Sequence, residues 1–261
     1  MKEITRLLYI MKRLRDPESG CPWDKEQTID SIKAYTIEEA YEVVDAIERQ
    51  SMEDLKDELG DLLFHVIFYS EMADEQNSFD FRQVVNQVAD KLERRHPHVF
   101  ADLKLDNSEE VKQLWEKTKQ NERDKKANNQ FLLDDISIHM PALIRALKIQ
   151  KRVASVGFDW EDIRDVLSKI TEELTELKEA IELKEDAKRI QEELGDALFS
   201  ILNLARHLKI DPETALRQTN EKFISRFNYI EEALKNQNRR LEESSLEEMD
   251  DLWNEAKIKQ H

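Results

Sequence analysis

The rarest residues of this chain recur at one spacing. Of its four glycines, Gly157 lies 137 positions after Gly20, and Gly195 lies 135 after Gly60. Of its four tryptophans, Trp160 lies 137 positions after Trp23, and Trp253 lies 138 after Trp115. Every glycine and every tryptophan thus has a partner at nearly one offset, which predicts two copies of a single structural unit. The copies span 1–125 and 137–261, joined by a linker over 126–136 that the polar stretch KKANNQ, from Lys125 to Gln130, marks.

Four glycines and five prolines in 261 residues leave little material for hairpin turns. Abundant Glu, Lys, Leu, Ala and Gln favour helix, so the predicted fold class is all-α. In each copy a first helix (about 2–15 and 141–154) precedes a loop, GCPWDKEQT or GFDWED. Helices carrying TIEEAYEVVDAIE or KITEELTELKEAIE come next, then helices carrying ELGD. Asp211-Pro212 reads as an N-cap followed by proline at the first helical position. Ser51 with Asp54, and Ser245 with Glu248, read as capping boxes.

A net charge of −17 argues against duplex nucleic acid as a partner, which needs a basic footprint. One cysteine, Cys21, allows no internal disulfide and suits a reducing compartment; without a base partner in the sequence it is not read as a nucleophile. The first residues are broken by Arg6 and Lys12 and show no signal-peptide core, and no apolar run reaches membrane-span length. The expectation is a cytoplasmic protein.

Acidic residues line the edges of two apolar stripes. Ile170, Leu174, Leu177 and Ile181 recur at helical spacing, with Glu173 and Glu176 beside them. In the next helix Leu194, Leu198, Ile201 and Ala205 form the stripe, with Glu193 and Asp196 at its edge. The short connection makes these helices antiparallel neighbours, so the acidic edges can meet. The first copy repeats the set as Glu39, Glu42, Glu58 and Asp61. Four carboxylates at a packed seam repel unless a cation sits among them. An all-oxygen set selects hard cations, Mg²⁺, Mn²⁺ or Ca²⁺, and Mg²⁺ keeps positions open for phosphates. Such strings also arise on solvated faces of an acidic chain; pairing, place and recurrence favour a metal site.

Basic residues stand where phosphates would need them. Lys169 lies one turn before Glu173, Arg189 one turn before Glu193, and Lys222 and Arg226 form an i, i+4 pair. Each could equally be an ordinary surface ion pair. Trp253 and Phe223 are candidates for stacking on a base or simply core. His96 and His98 flank Pro97 and read as a turn, having no third nitrogen or sulfur ligand. Gly60 and Gly195 lie inside helices, where glycine costs about 1 kcal/mol against alanine. Lacking Cβ, they would admit a neighbouring helix or a phosphate beside the carboxylates.

The segments RLRDPESGCPWDKEQT, YTIEEAYEVVDAI, ELGDLLFHVIFY, DKLERRHPHVF and VGFDW, then EELTEL, EELGDALFSILNLARHL and NEKFISRF, resemble the MazG family over the whole chain. The resemblance implies an all-α nucleoside triphosphate pyrophosphohydrolase yielding monophosphate and pyrophosphate. It implies Mg²⁺ dependence, tolerance of many bases in NTPs and dNTPs, and a homodimer that completes four-helix-bundle-type cores. It places activity in the second copy, with Glu173, Glu176, Glu193 and Asp196 holding metal. Lys169, Glu172, Arg189, Lys222, Arg226 and Trp253 would face the nucleotide. In the first copy RRHPHVF replaces the SRFNYIE continuation, so the resemblance does not carry the second copy's nucleotide contacts over to the first, although its carboxylates are intact.

Chemically, a water would attack the α-phosphorus in line while pyrophosphate leaves, its charge neutralised by metal and by Lys or Arg. Glu193 belongs to the catalytic set, and Glu172 and Glu173 are both candidates for the general base. Two other classes fit helices with acidic stripes: a non-catalytic nucleotide-sensing adaptor, and a di-iron bundle. The latter wants two Glu-x-x-His motifs, and only Glu93 with His96 has that spacing.

Overall fold

A computed structural model describes residues 2–101, 103, 105, 107–124 and 131–259. Among the described residues there is no strand, and the fold is all-α. The chain divides into two compact units, 1–122 and 123–261. The opening part of the predicted linker, 126–130, lies outside the described residues. Its remainder is built into the second unit. Ile136 is buried there, and Asp135 pairs with the buried Arg152 guanidinium at 2.6 Å. A buried arginine needs a counter-charge, and this turn supplies it.

The first unit comprises α1 (Lys2–Leu14), α2 (Pro22–Glu26), α3 (Lys33–Glu48), α4 (Met52–Glu75), α5 (Phe81–Arg95), α6 (Pro97–Phe100) and α7 (Ser108–Asp124). Met11, Ile32, Ile67, Phe68 and Met72 form its core, where α1 packs on α4. The second unit comprises α8 (Ala142–Ala154), α9 (Ile163–Glu182), α10 (Ala187–Leu208), α11 (Pro212–Asn236) and α12 (Leu246–Lys259), with a 3-10 turn at Leu241–Glu243. Here α9 and α10 pack along their length, α8 lies against α10, and α12 lies against α11.

Local chemistry sets the helix ends. The Ser51 hydroxyl accepts from the Asp54 amide at 3.3 Å, and the Asp211 carboxylate accepts from the Thr214 amide at 2.8 Å ahead of Pro212. At α12 the Ser245 hydroxyl accepts from the Glu248 amide at 3.2 Å. The Glu248 carboxylate turns instead to Arg239, because an arginine fork outcompetes a single backbone donor. Gly20 is required by close approach: a Cβ there would lie 2.4 Å from the Leu14 carbonyl oxygen.

One expectation is inverted. Apolar stripes of this kind predict burial, yet Leu174 and Ile181 on α9, and Leu194, Leu198 and Ile201 on α10, are each about half exposed in the single chain. What these helices bury is Val166, Glu173 and Ala180 on one, and Glu193, Ala197, Leu202 and Asn203 on the other. The first unit does the same, exposing Ile37, Ile47, Leu59 and Leu63 along α3 and α4. A two-helix hairpin has two apolar flanks, and packing within one unit covers only one of them.

Candidate active site

The acidic edges of α9 and α10 meet as their spacing predicts. Asp162 caps α9 through the Arg164 amide (2.8 Å), and Asp186 caps α10 through the Arg189 amide (2.9 Å). These caps start the two helices, and the packing of α9 on α10 brings Glu173, Glu193 and Asp196 together. One carboxylate oxygen from each lies within 4.8 Å of the others. Glu193 is only 2% exposed and Glu173 only 6%, while Asp196 opens to solvent. Two buried carboxylates beside a third are unfavourable unless cations share the site. Glu176, also expected as a ligand, sits exposed one turn further along α9 and is outside this cluster.

Two predicted phosphate cations lie on this cluster. Lys169 Nζ is 2.8 Å from Glu173 Oε1 and 2.8 Å from Glu172 Oε1. Both contacts raise its pKa, that to Glu172 most, and hold it firmly as the ammonium. The Arg189 guanidinium pairs with Glu193 and reaches Glu192 at 3.7 Å. The chemistry therefore combines hard oxygen donors with a fixed positive rim, a set that fits a divalent cation with a polyphosphate.

A second grouping lies on α11 and α12. The Arg226 guanidinium stands 5.5 Å from the centre of the Trp253 ring, and Phe223 contacts the same ring with centroids 4.9 Å apart. Phe223, Phe227, Met249 and Trp253 line a depression of about 270 Å³. Lys222 is exposed on the same helix, one turn before Arg226. His96 ends α5 and meets Trp115 edge-on at 5.0 Å, with Pro97 starting α6, so the histidine pair forms a turn. Cys21 is a partly buried free thiol preceding α2.

The first unit assembles the corresponding Glu39, Glu58 and Asp61, again with oxygens within 4.8 Å of one another. Its surroundings differ. Tyr35 stands at the register of Lys169, and Asp54 at that of Arg189. Glu39 is pushed above the usual carboxylate range, first by burial and then by the charges of Asp61, Glu42 and Glu58. Glu58 is raised in the same way, by burial and then by Glu42 and Asp61. His65, which the sequence reading passed over, lies one turn beyond Asp61, and its Nε2 is 3.8 Å from Glu39. The i, i+4 spacing of Asp61 and His65 was the available signal; Ser200 at the matching register of the second copy hid it.

Within the single chain the ELGD glycines serve no close packing. A Cβ built on Gly60 or Gly195 meets no heavy atom within 4 Å beyond its own helical turn. No neighbouring helix of the same chain explains either residue.

Comparison with known proteins places these features in context. The MazG nucleotide pyrophosphohydrolase domain matches residues 27–100 and again 162–230. An Escherichia coli (strain K12) protein named nucleoside triphosphate pyrophosphohydrolase is 51% identical over 258 residues, 98% of each chain. A Thermotoga maritima protein, nucleoside triphosphate pyrophosphohydrolase/pyrophosphatase MazG, is 44% identical, covering 96% of this chain and 94% of its own. A solved structure of a mazG-related protein from Thermotoga maritima aligns with 44% of this chain and 98% of its own, at 27% identity and a TM-score of 0.38.

Proposed function

The chain belongs to the MazG nucleotide pyrophosphohydrolase family, and on that premise we propose that it hydrolyses nucleoside triphosphates to monophosphate and pyrophosphate at the α9–α10 cluster, with Mg²⁺ as cofactor. The observation that carries this reading is the meeting of buried Glu173 and Glu193 with Asp196 under a rim of Lys169 and Arg189. No helix among the described residues is long and apolar enough to cross a membrane.

Glu173, Glu193 and Asp196 would hold the cation, while Glu176 lies one turn further along α9, outside the cluster. When bound, a divalent ion polarises phosphoryl oxygens and acidifies water. The chain's own groups do the rest. Lys169 and Arg189 lend positive charge to the departing pyrophosphate, while Lys222 and Arg226 grip the phosphate chain. Trp253, with Phe223 beside it, offers a flat apolar surface to the base. Stacking reads the π-face that every base has, so base tolerance follows. Glu172, exposed and bonded to Lys169, accepts the proton of the attacking water or shares that task with Glu173.

The half-exposed apolar flanks of α3–α4 and α9–α10 would be covered by a second copy, completing four-helix cores in a homodimer. Contiguous exposed apolar surface of this kind marks an association face.

Product analysis tests the proposal. Purified protein with Mg²⁺ should release pyrophosphate from the eight common NTPs and dNTPs, and EDTA should stop it. Release of orthophosphate alone would overturn the assignment of attack to the α-phosphorus.

A further inference from the structure

The first unit retains, away from its carboxylates, the residue types proposed to face the nucleotide in the second. Lys91 and Arg95 lie 131 positions before Lys222 and Arg226, and Trp115 lies 138 before Trp253. This correspondence rests on the role proposed for the second-unit residues; the contacts of the first unit stand by themselves. There α5 ends at Arg95, ahead of Pro97, whereas α11 runs on past Arg226 to Asn236. Glu122 of α7 reaches back to the end of α5. Its Oε1 accepts from Arg94 Nε at 3.0 Å and Nη2 at 2.7 Å. Its Oε2 accepts from Arg95 Nε at 3.2 Å and from Nη2 of the same group at 2.5 Å. Two guanidinium forks thus close on one carboxylate, each taking one oxygen.

The charges in this clamp do not balance. Arg95, then Arg94, hold the Glu122 pKa at about 2, so the carboxylate stays ionised and brings one negative charge against two positive ones. A phosphate monoester brings about −1.5 to −2 and three acceptor oxygens, a closer match to two forks. Unpaired polar atoms lie next to the clamp. The His96 ring meets Trp115 at 5.0 Å and His98 at 5.6 Å between centroids. Trp115 Nε1 and His98 Nδ1 are both buried, and among the described residues neither has a hydrogen-bond partner. The indole N–H is a donor only, so it calls for an acceptor.

We infer that Arg94 and Arg95 form a binding site for a phosphoryl dianion, as carried by a nucleoside monophosphate or by free phosphate, and that Glu122 occupies it as an internal surrogate until the ligand displaces it. Arg94 is more than half exposed, so an incoming anion can meet the clamp from its side before Glu122 leaves. The first unit would then bind a phosphorylated ligand without the Lys169 and Arg189 counterparts that its carboxylate cluster lacks.

Inorganic phosphate, adenosine monophosphate and adenosine are the probes, titrated by calorimetry into full-length protein. Glu193→Gln stops hydrolysis, and EDTA keeps metal off the carboxylate clusters. A site that must first open binds in proportion to its open fraction. Adding Glu122→Gln should therefore tighten phosphate and adenosine monophosphate binding about tenfold or more, with no gain for adenosine. Adding Arg95→Gln or Arg94→Gln to that protein should abolish the gain. A larger gain for adenosine monophosphate assigns the site to a nucleotide, and equal gains assign it to free phosphate. With Glu122 in place, saturating phosphate should move the Arg95 Nε–H NMR signal, a reading that does not depend on any position-122 variant folding. A signal that stays still, no gain in Glu122→Gln, or a gain that survives loss of either arginine would overturn the site. Binding is read without turnover, so its failure is distinct from a failure to release pyrophosphate.

Discussion

The Lys169 ammonium lies 2.8 Å from a carboxylate oxygen of Glu173 that is itself buried. The same glutamate is proposed to hold a divalent cation, and the same lysine to hold a phosphate. Ion pairing within the cluster and ligand binding are thus alternatives for both side chains.

Lys169→Met should remove that internal counter-charge and leave a buried carboxylate uncompensated. Lys169 is itself about one-third exposed, so the loss in stability should be about 1–2 kcal/mol, well below that of a fully buried pair. Mg²⁺ should restore part of it. Thermal unfolding with EDTA and with Mg²⁺ measures both, and an identical loss in the two conditions would contradict the competition.

Glu193→Gln should lower kcat/KM for NTP hydrolysis by about 100-fold or more, since it removes a buried metal-directed oxygen. Helicity by circular dichroism should be unchanged. Near-full turnover in this variant would move the reaction away from α10.

Trp253→Ala tests the base platform. It should raise KM about tenfold with little change in kcat, in keeping with about 1–3 kcal/mol for a stacked base. A fall in kcat at constant KM would argue that Trp253 only props α11 against α12.

Gly195→Ala separates two accounts of the ELGD glycine. The added Cβ meets nothing within 4 Å, so the helix should gain up to about 1 kcal/mol. If the open space belongs to ligand, activity should fall as the melting temperature rises. A destabilised variant would restore the packing explanation.

Proton linkage should distinguish the first cluster. Glu39 and Glu58 have folded pKa values above their unfolded ones, so the native state binds more protons. Their contribution is fully present below the unfolded carboxylate value, about pH 4.3, and is lost as pH rises through the folded values. Glu122 has the opposite sign. Arg95, then Arg94, hold it at about 2, so its contribution exists above about pH 4.3 and disappears as pH falls toward 2. Chemical denaturation of EDTA-treated wild type and a Glu39→Gln variant should show the variant gaining relative stability as pH rises. A pH-independent difference would remove the like-charge cluster.

Much of this protein was legible because rare residues and helical spacing are local signals. The glycine and tryptophan offsets exposed the repeat. Spacing put Glu173, Glu193 and Asp196 on facing helix edges, where the structure finds them together. Periodicity failed on the leucines. Leu174, Leu194 and Leu198 form regular stripes, but a stripe says only that a surface prefers burial, not which molecule covers it. Glu176 shows a related limit, since sharing a helix edge does not ensure reaching the same point in space.

The sequence by itself determined the helices and their caps, which depend on residues within a few positions of each other, and the duplication, which shows as rare residue types recurring at one long offset. Only the tertiary structure decided which carboxylates converge, that Glu173 and Glu193 are buried while the leucines beside them are half exposed, and that His65 stands by one cluster where Lys169 and Arg189 stand by the other. Those outcomes depend on the rotation and depth at which two helices pack. A difference of one turn there, about 5.4 Å, exceeds the span over which carboxylates can share one ion.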